Sequence, residues 1–192
     1  MIETLKLFIK SGLIDNVVFI QYLAICPFIG MTGDSEKASG MGLATTFVIM
    51  LSSAVTWPLY HLVMEPLGLE FLQTLIFILV IASLVQLVEF FLKKMSPGLY
   101  NAMGVYLALI TTNCAVLGIT INCISKNYNY VQSLVYAFGS ALGFLLSMVI
   151  MSAVRSRLKC ANVPKAFEGT PILYICASIL SLAFLGFKGL IK

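Results

Sequence analysis

The chain has 192 residues, of which 60% are hydrophobic and only 10% charged, with a net charge of +4 and a mean hydropathy of +1.00. A soluble domain of this length carries about a quarter charged residues, so the composition excludes a water-solvated fold and points to a bilayer. The basic residues form no nucleic-acid-binding pattern, and no phosphate loop, catalytic triad, haem attachment motif or nucleotide fingerprint occurs.

A spanning helix needs about 20 mostly apolar residues. Six segments meet that requirement, at 5–29, 40–63, 71–92, 99–121, 131–154 and 171–190. Lys6 and Lys10 interrupt the first, and no small-residue cleavage site follows, so it is expected to be a span and not a cleaved leader. Asp15-Asn16 reads as the interfacial start of its apolar part. Trp57 and His61 lie towards one end of the second span, where amphipathic rings favour the interface. Glu89 in the third precedes Lys93 by one helical turn and is read as its partner. Gly40 and Gly42 in the second span, and Gly139 and Gly143 in the fifth, are expected to let helices pack closely. Arg155, Arg157 and Lys159 follow the fifth as a basic cluster that sets topology and meets anionic lipid. The first, third and fifth connections hold seven of the twelve Lys and Arg residues, which predicts that they are cytoplasmic and that both termini are outside.

The six spans fall into two halves, about 1–95 and 96–192, within one membrane domain. Cys26-Pro-Phe-Ile-Gly30 in the first span matches Cys114-Ala-Val-Leu-Gly118 in the fourth, both C-x-x-x-G. Ser53-Ala-Val in the second span matches Ser152-Ala-Val in the fifth. Three helices per half is an odd number, so the halves enter the membrane from opposite sides as inverted repeats. The fold class predicted is therefore all-α integral membrane: six transmembrane helices in two inverted three-helix repeats.

Cys26 lies ten residues after Asn16, and Cys114 ten after Gly104. Ten helical residues rise about 15 Å, half of a roughly 30 Å core, which brings both sulfurs near the midplane if the spans start there. Pro27 and Gly30 in one copy, and Thr111-Thr-Asn with Gly118 in the other, suit interrupted helices in spans one and four. Cys123, Cys160 and Cys176 are read as small hydrophobic or surface residues. Paired soft thiolates at a helix break suit iron or iron–sulfur chemistry. Iron–sulfur clusters take four protein ligands, so two more must come from another chain.

The stretches Gln21-Tyr-Leu-Ala-Ile-Cys-Pro-Phe-Ile-Gly30, Gly40-Met-Gly-Leu-Ala-Thr-Thr-Phe47, Leu109-Ile-Thr-Thr-Asn-Cys-Ala-Val-Leu-Gly118 and Leu182-Ala-Phe-Leu-Gly-Phe-Lys-Gly189 resemble the A-type membrane subunits of Rnf electron-transport complexes. These are similar in turn to the E subunit of the sodium-pumping NADH:quinone reductase. The resemblance covers essentially the whole chain. It implies a subunit of a ferredoxin:NAD+ oxidoreductase coupled to Na+ or H+ transport in a prokaryotic cytoplasmic membrane. Cys26 and Cys114 would supply half the ligands of a [2Fe-2S] cluster shared with a homologous E-type subunit of opposite orientation. The B, C, D and G subunits would complete the complex. The chain alone would catalyse nothing. A rival reading, a substrate-binding module of a small-molecule transporter, also fits six spans with broken helices, and it needs no iron.

Overall fold

The computed structural model describes residues 2–68, 70–95, 109–110, 112–160, 164–165 and 167–188. Among them the structure is all helical, with seven helices of seven residues or more. Helix α1 (Ile2–Ile9) passes into a π-helical turn, Lys10–Ile14. The chain then leaves helical geometry until α2 (Ile25–Met31). Helix α3 (Ser35–Leu59) continues through a second π turn, Tyr60–Met64, in one 30-residue apolar rod. Helix α4 is Gln73–Met95, α5 is Cys114–Ser125, α6 is Tyr130–Leu158 and α7 is Thr170–Lys188.

Three rods are long and apolar enough to cross a membrane: Ser35–Met64, Gln73–Phe90 and Tyr130–Leu158. They match the second, third and fifth predicted spans. The sixth is met by the shorter apolar helix Thr170–Gly186. The first is interrupted, but at residues 15–24; Pro27 and Gly30, the expected place of the break, lie inside α2. Gly104 and the early part of the fourth span lie outside the described residues. The chain is a multi-pass membrane protein by this architecture.

Helices α3 and α6 form the central pair and run antiparallel. The end of α3 meets the start of α6, where Trp57 Nε1 donates to Tyr128 O at 2.9 Å and its ring lies 5.2 Å from Tyr130. At the other end Asp34, at the N-cap of α3, faces Arg155 and Lys159 of α6. The helix faces that meet are lined by small polar residues. Thr45, Ser52, Ser53 and Thr56 of α3 are buried, as are Ser133, Ser140, Ser147 and Ser152 of α6. Small side chains let backbones approach where lipid gives no hydrophobic drive for helix association. The π turn after α1 also lies against α6 by glycine contact. A Cβ on Gly143 would overlap the Gly12 carbonyl oxygen, and one on Gly139 would overlap Ser11 Oγ. The predicted close packing is thus found at Gly42, Gly139 and Gly143. It is absent at Gly40, where a Cβ would meet open space.

Candidate functional site

The break in the first span is built around Asn16. Its side chain is fully buried, contrary to the interfacial place expected from sequence. Nδ2 donates to Gly143 O at 3.0 Å and to Gly12 O at 3.4 Å, while Oδ1 accepts from Val18 N at 3.0 Å and Phe19 N at 3.3 Å. Ser147 Oγ donates to the same Oδ1 at 3.1 Å. Backbone groups freed by leaving the helix at this depth must be satisfied inside the protein, and one amide does much of that here. Asp15 beside it stays near the surface, 4.0 Å from Lys126 Nζ. That ammonium also lies 4.7 Å from the Tyr136 ring centroid.

From Asn16 the chain turns through Tyr22 and Ala24, which both take positive φ, at 56° and 60°. Non-glycine residues adopt this left-handed conformation only where their surroundings hold them in it. Tyr22 is held by its hydroxyl, 3.0 Å from Ser181 Oγ of α7. Ser181 in turn donates to Phe19 O at 2.6 Å. Gln21 Oε1 accepts from Asn122 Nδ2 of α5 at 3.0 Å. A Cβ on Gly118 would overlap Leu23 Cδ1, so any larger residue there would push the end of the Leu23 side chain aside where α5 lies against the break.

These contacts bring the two cysteine motifs together. The Ala24 amide, two residues before Cys26, donates to Cys114 Sγ at 2.9 Å. Cys26 is the second residue of α2 and Cys114 the first of α5. Both thiols are exposed. Asn113 starts α5 as its N-cap, its Oδ1 accepting from Ala115 N at 3.0 Å, which is the role asparagine favours at that position. The two helices leave this meeting point in opposite directions. Helix α5 runs to the 126–129 connection beside Trp57, about 18 Å away for its twelve residues. Helix α2 runs the other way, to Thr32 and Gly33 under Arg155 and Lys159.

The basic cluster has a task the sequence did not reveal. Arg155 Nη1 donates to Ile29 O at 2.9 Å and to Thr32 Oγ1 at 3.4 Å, and Lys159 Nζ donates to Gly33 O at 3.2 Å. The α2 terminus is therefore capped by cations from the far half of the chain. Lys37 donates to Asp34 at 2.8 Å and holds that carboxyl below the usual carboxylate range, with smaller help from Lys159 and Arg155. At the aromatic end burial pushes the Tyr128 phenol above its ordinary value, against the pull of Lys126.

Among the described residues no three of His, Cys, Asp and Glu gather as a metal site. Cys26 and Cys114 are thus a pair without a third protein ligand of these types among those residues. Cys123 is buried, its thiol 3.7 Å from Ser133 O, as its reading as a small hydrophobe expects; Cys160 is exposed and Cys176 half-buried.

Residues 4–191 match the family described as Rnf-Nqr subunit, membrane protein. The chain belongs to the Rnf-Nqr family. Its relatives include the A-type subunit of the ion-translocating oxidoreductase complex of Syntrophotalea carbinolica, 50% identical over 187 residues and 97% of each chain. The corresponding A-type subunits of Aeromonas hydrophila and Yersinia enterocolitica are 48% and 49% identical over all 192 residues, covering both chains fully. The A-type resemblance drawn from the motifs is borne out by these Rnf-Nqr relatives over the full length.

Proposed function

We propose that this chain holds half of a [2Fe-2S] cluster and carries electrons across the membrane within an Rnf-type ferredoxin:NAD+ oxidoreductase coupled to Na+ or H+ transport. The observation that carries the reading is the hydrogen bond from Ala24 N–H to Cys114 Sγ, which joins the two cysteine motifs at the starts of two half-helices. The names of the relatives, as A-type subunits of ion-translocating oxidoreductase complexes, support the setting.

The donor set suits the group. Two soft thiols supply half of the four cysteines that a [2Fe-2S] cluster takes. Both are exposed, so a second chain can reach them, and a homologous E-type subunit would bring the other two. When bound, the cluster supplies a one-electron relay near the middle of the bilayer. The residues of this chain anchor and orient. Cys26 and Cys114 present their sulfurs. Asn113 fixes the first turn of α5, whose N-terminal amides favour negative charge. The Ala24 amide hydrogen-bonds to sulfur, one of the levers by which proteins set a cluster's potential.

The opposite courses of α2 and α5 support two inverted repeats, at about 1–95 and 96–192, and the placement of Lys and Arg supports both termini outside a prokaryotic cytoplasmic membrane. In that orientation electrons pass between cytoplasmic iron–sulfur subunits and a flavin subunit on the outer face, through contacts with the B, C, D and G subunits. This symmetry motivates the further proposal that coupling works by alternating access of the two cysteine-bearing repeats, driven by cluster charge, and structures alike in both redox states would count against it. The test of the shared ligand set is iron and labile sulfide analysis of the purified complex. Cys26→Ser and Cys114→Ser are each expected to lose the iron of this site. Unchanged iron in both variants would sink the reading and favour the transporter module.

A further inference from the structure

The half-helix that carries Cys26 has only seven residues, too few to stand alone. Its last carbonyls have no partner within it. Both flanks of this segment are tied to the same helix, α6. Before the break, Gly12 and Asn16 are held at Gly143 and Ser147. After it, Ile29 O, Thr32 Oγ1 and Gly33 O are held by Arg155 and Lys159. The two ties lie twelve residues apart on α6, about 18 Å along a rigid rod. Thr32 also donates back to Phe28 O at 2.8 Å, so the Arg155 head meets a terminus already closed on itself. Arginine is always charged and donates in a fixed fork, which suits one head bridging a carbonyl and a hydroxyl. The Gly33 Cα position packs against the guanidinium, since a Cβ there would lie 3.6 Å from Arg155 Cζ.

We infer that Arg155, assisted by Lys159, is a positioning residue for the Cys26 thiol. It fixes the α2 half-helix to α6 and holds a positive charge behind the sulfur. The relevance to a metal centre rests on the proposed cluster, but the holding of α2 does not. A cation at that end favours added negative charge at the sulfurs, so its loss should make a bound cluster harder to reduce.

The experiment has two arms. In the first, backbone hydrogen–deuterium exchange is followed across residues 25–33 in the purified chain without its partners. Arg155→Gln is expected to speed exchange there about tenfold while α3 stays protected. In the second, the cluster midpoint potential is titrated in the full complex. Arg155→Gln is expected to lower it, and Arg155→Lys, which keeps the charge, to restore it. Unchanged exchange, or faster exchange with an unchanged potential, would overturn the positioning role. If Arg155→Gln does not accumulate, Lys159→Gln is read on both scales, with smaller shifts in the same directions expected and no shift on either overturning the inference. A wild-type complex without iron would sink the cluster reading instead. The exchange arm would then still decide whether Arg155 holds the half-helix.

Discussion

Asn16 divides its amide among five partners, two carbonyls, two backbone amides and the Ser147 hydroxyl, with no access to solvent. Truncation to alanine takes the side-chain acceptor from the Val18 and Phe19 amides at depth, at a desolvation cost, while Ser147 Oγ and Gly143 O keep their bond to each other. Asn16→Ala is expected to lose about 1–3 kcal/mol, the range for orphaning buried polar groups, read as a lower thermal midpoint in detergent. The glycines divide the same way. Gly143→Ala drives a methyl into the Gly12 backbone, which cannot swing aside, and should cost about 1–3 kcal/mol by overpacking. Gly118→Ala meets only the end of the Leu23 side chain and should cost less. Gly40→Ala meets open space in a helix interior and should stabilise the isolated chain by up to about 1 kcal/mol. Sequence alone marked Gly40 and Gly143 as equals, because spacing shows that a residue is small but not what stands opposite it. It likewise placed Asn16 at an interface, since a polar pair before an apolar run is the usual interfacial pattern. Only the long-range bonds to Gly143 and Ser147 reveal a buried fastener.

The rods were legible because their signal is local: α3, α4 and α6 are long, apolar and bounded by charges or prolines. That the first span is interrupted was legible, from Pro27 and Gly30, but neither the place nor the form of the break was, since both residues lie inside α2. Its strained residues are Tyr22 and Ala24, neither of which advertises positive φ. Cys26 and Cys114 were found by their shared motif, and the structure joins that motif through the Ala24 amide. The task of Arg155 could not be read, since its partners lie about 125 residues away and are mostly backbone oxygens. At the start of α3 the Lys37 bond keeps Asp34 ionised below the ordinary carboxylate value of 3.8. A depressed folded value contributes stability above 3.8 that is lost as pH falls through the lower folded value. Asp34 is exposed, so the effect is small. Asp34→Asn is expected to lower the thermal midpoint slightly near neutral pH and to leave it unchanged in strong acid, so that its decline with falling pH is flatter.

At the scale of the whole molecule, the antiparallel α3–α6 pair is the frame, and the two half-helices start beside each other against it and part in opposite directions. One end gathers aromatic rings, Trp57 4.4 Å from His61 and 5.2 Å from Tyr130. The other gathers Asp34, Lys37, Arg155 and Lys159. If that charged end is cytoplasmic, as the distribution of Lys and Arg predicts, a membrane-impermeant thiol reagent added from outside should spare the exposed Cys160 in intact cells and label it in inverted vesicles. The two exposed thiols lie at the parting of the half-helices, and the central claim is that they bind one cluster together with a second chain. The most direct measurement is low-temperature EPR of the reduced complex, co-purified with its partner membrane subunits. The wild type is run beside Cys26→Ser and Cys114→Ser. The account predicts a [2Fe-2S] signal assigned to this site in the wild type and its disappearance in each variant. The same signal persisting in both variants would contradict it.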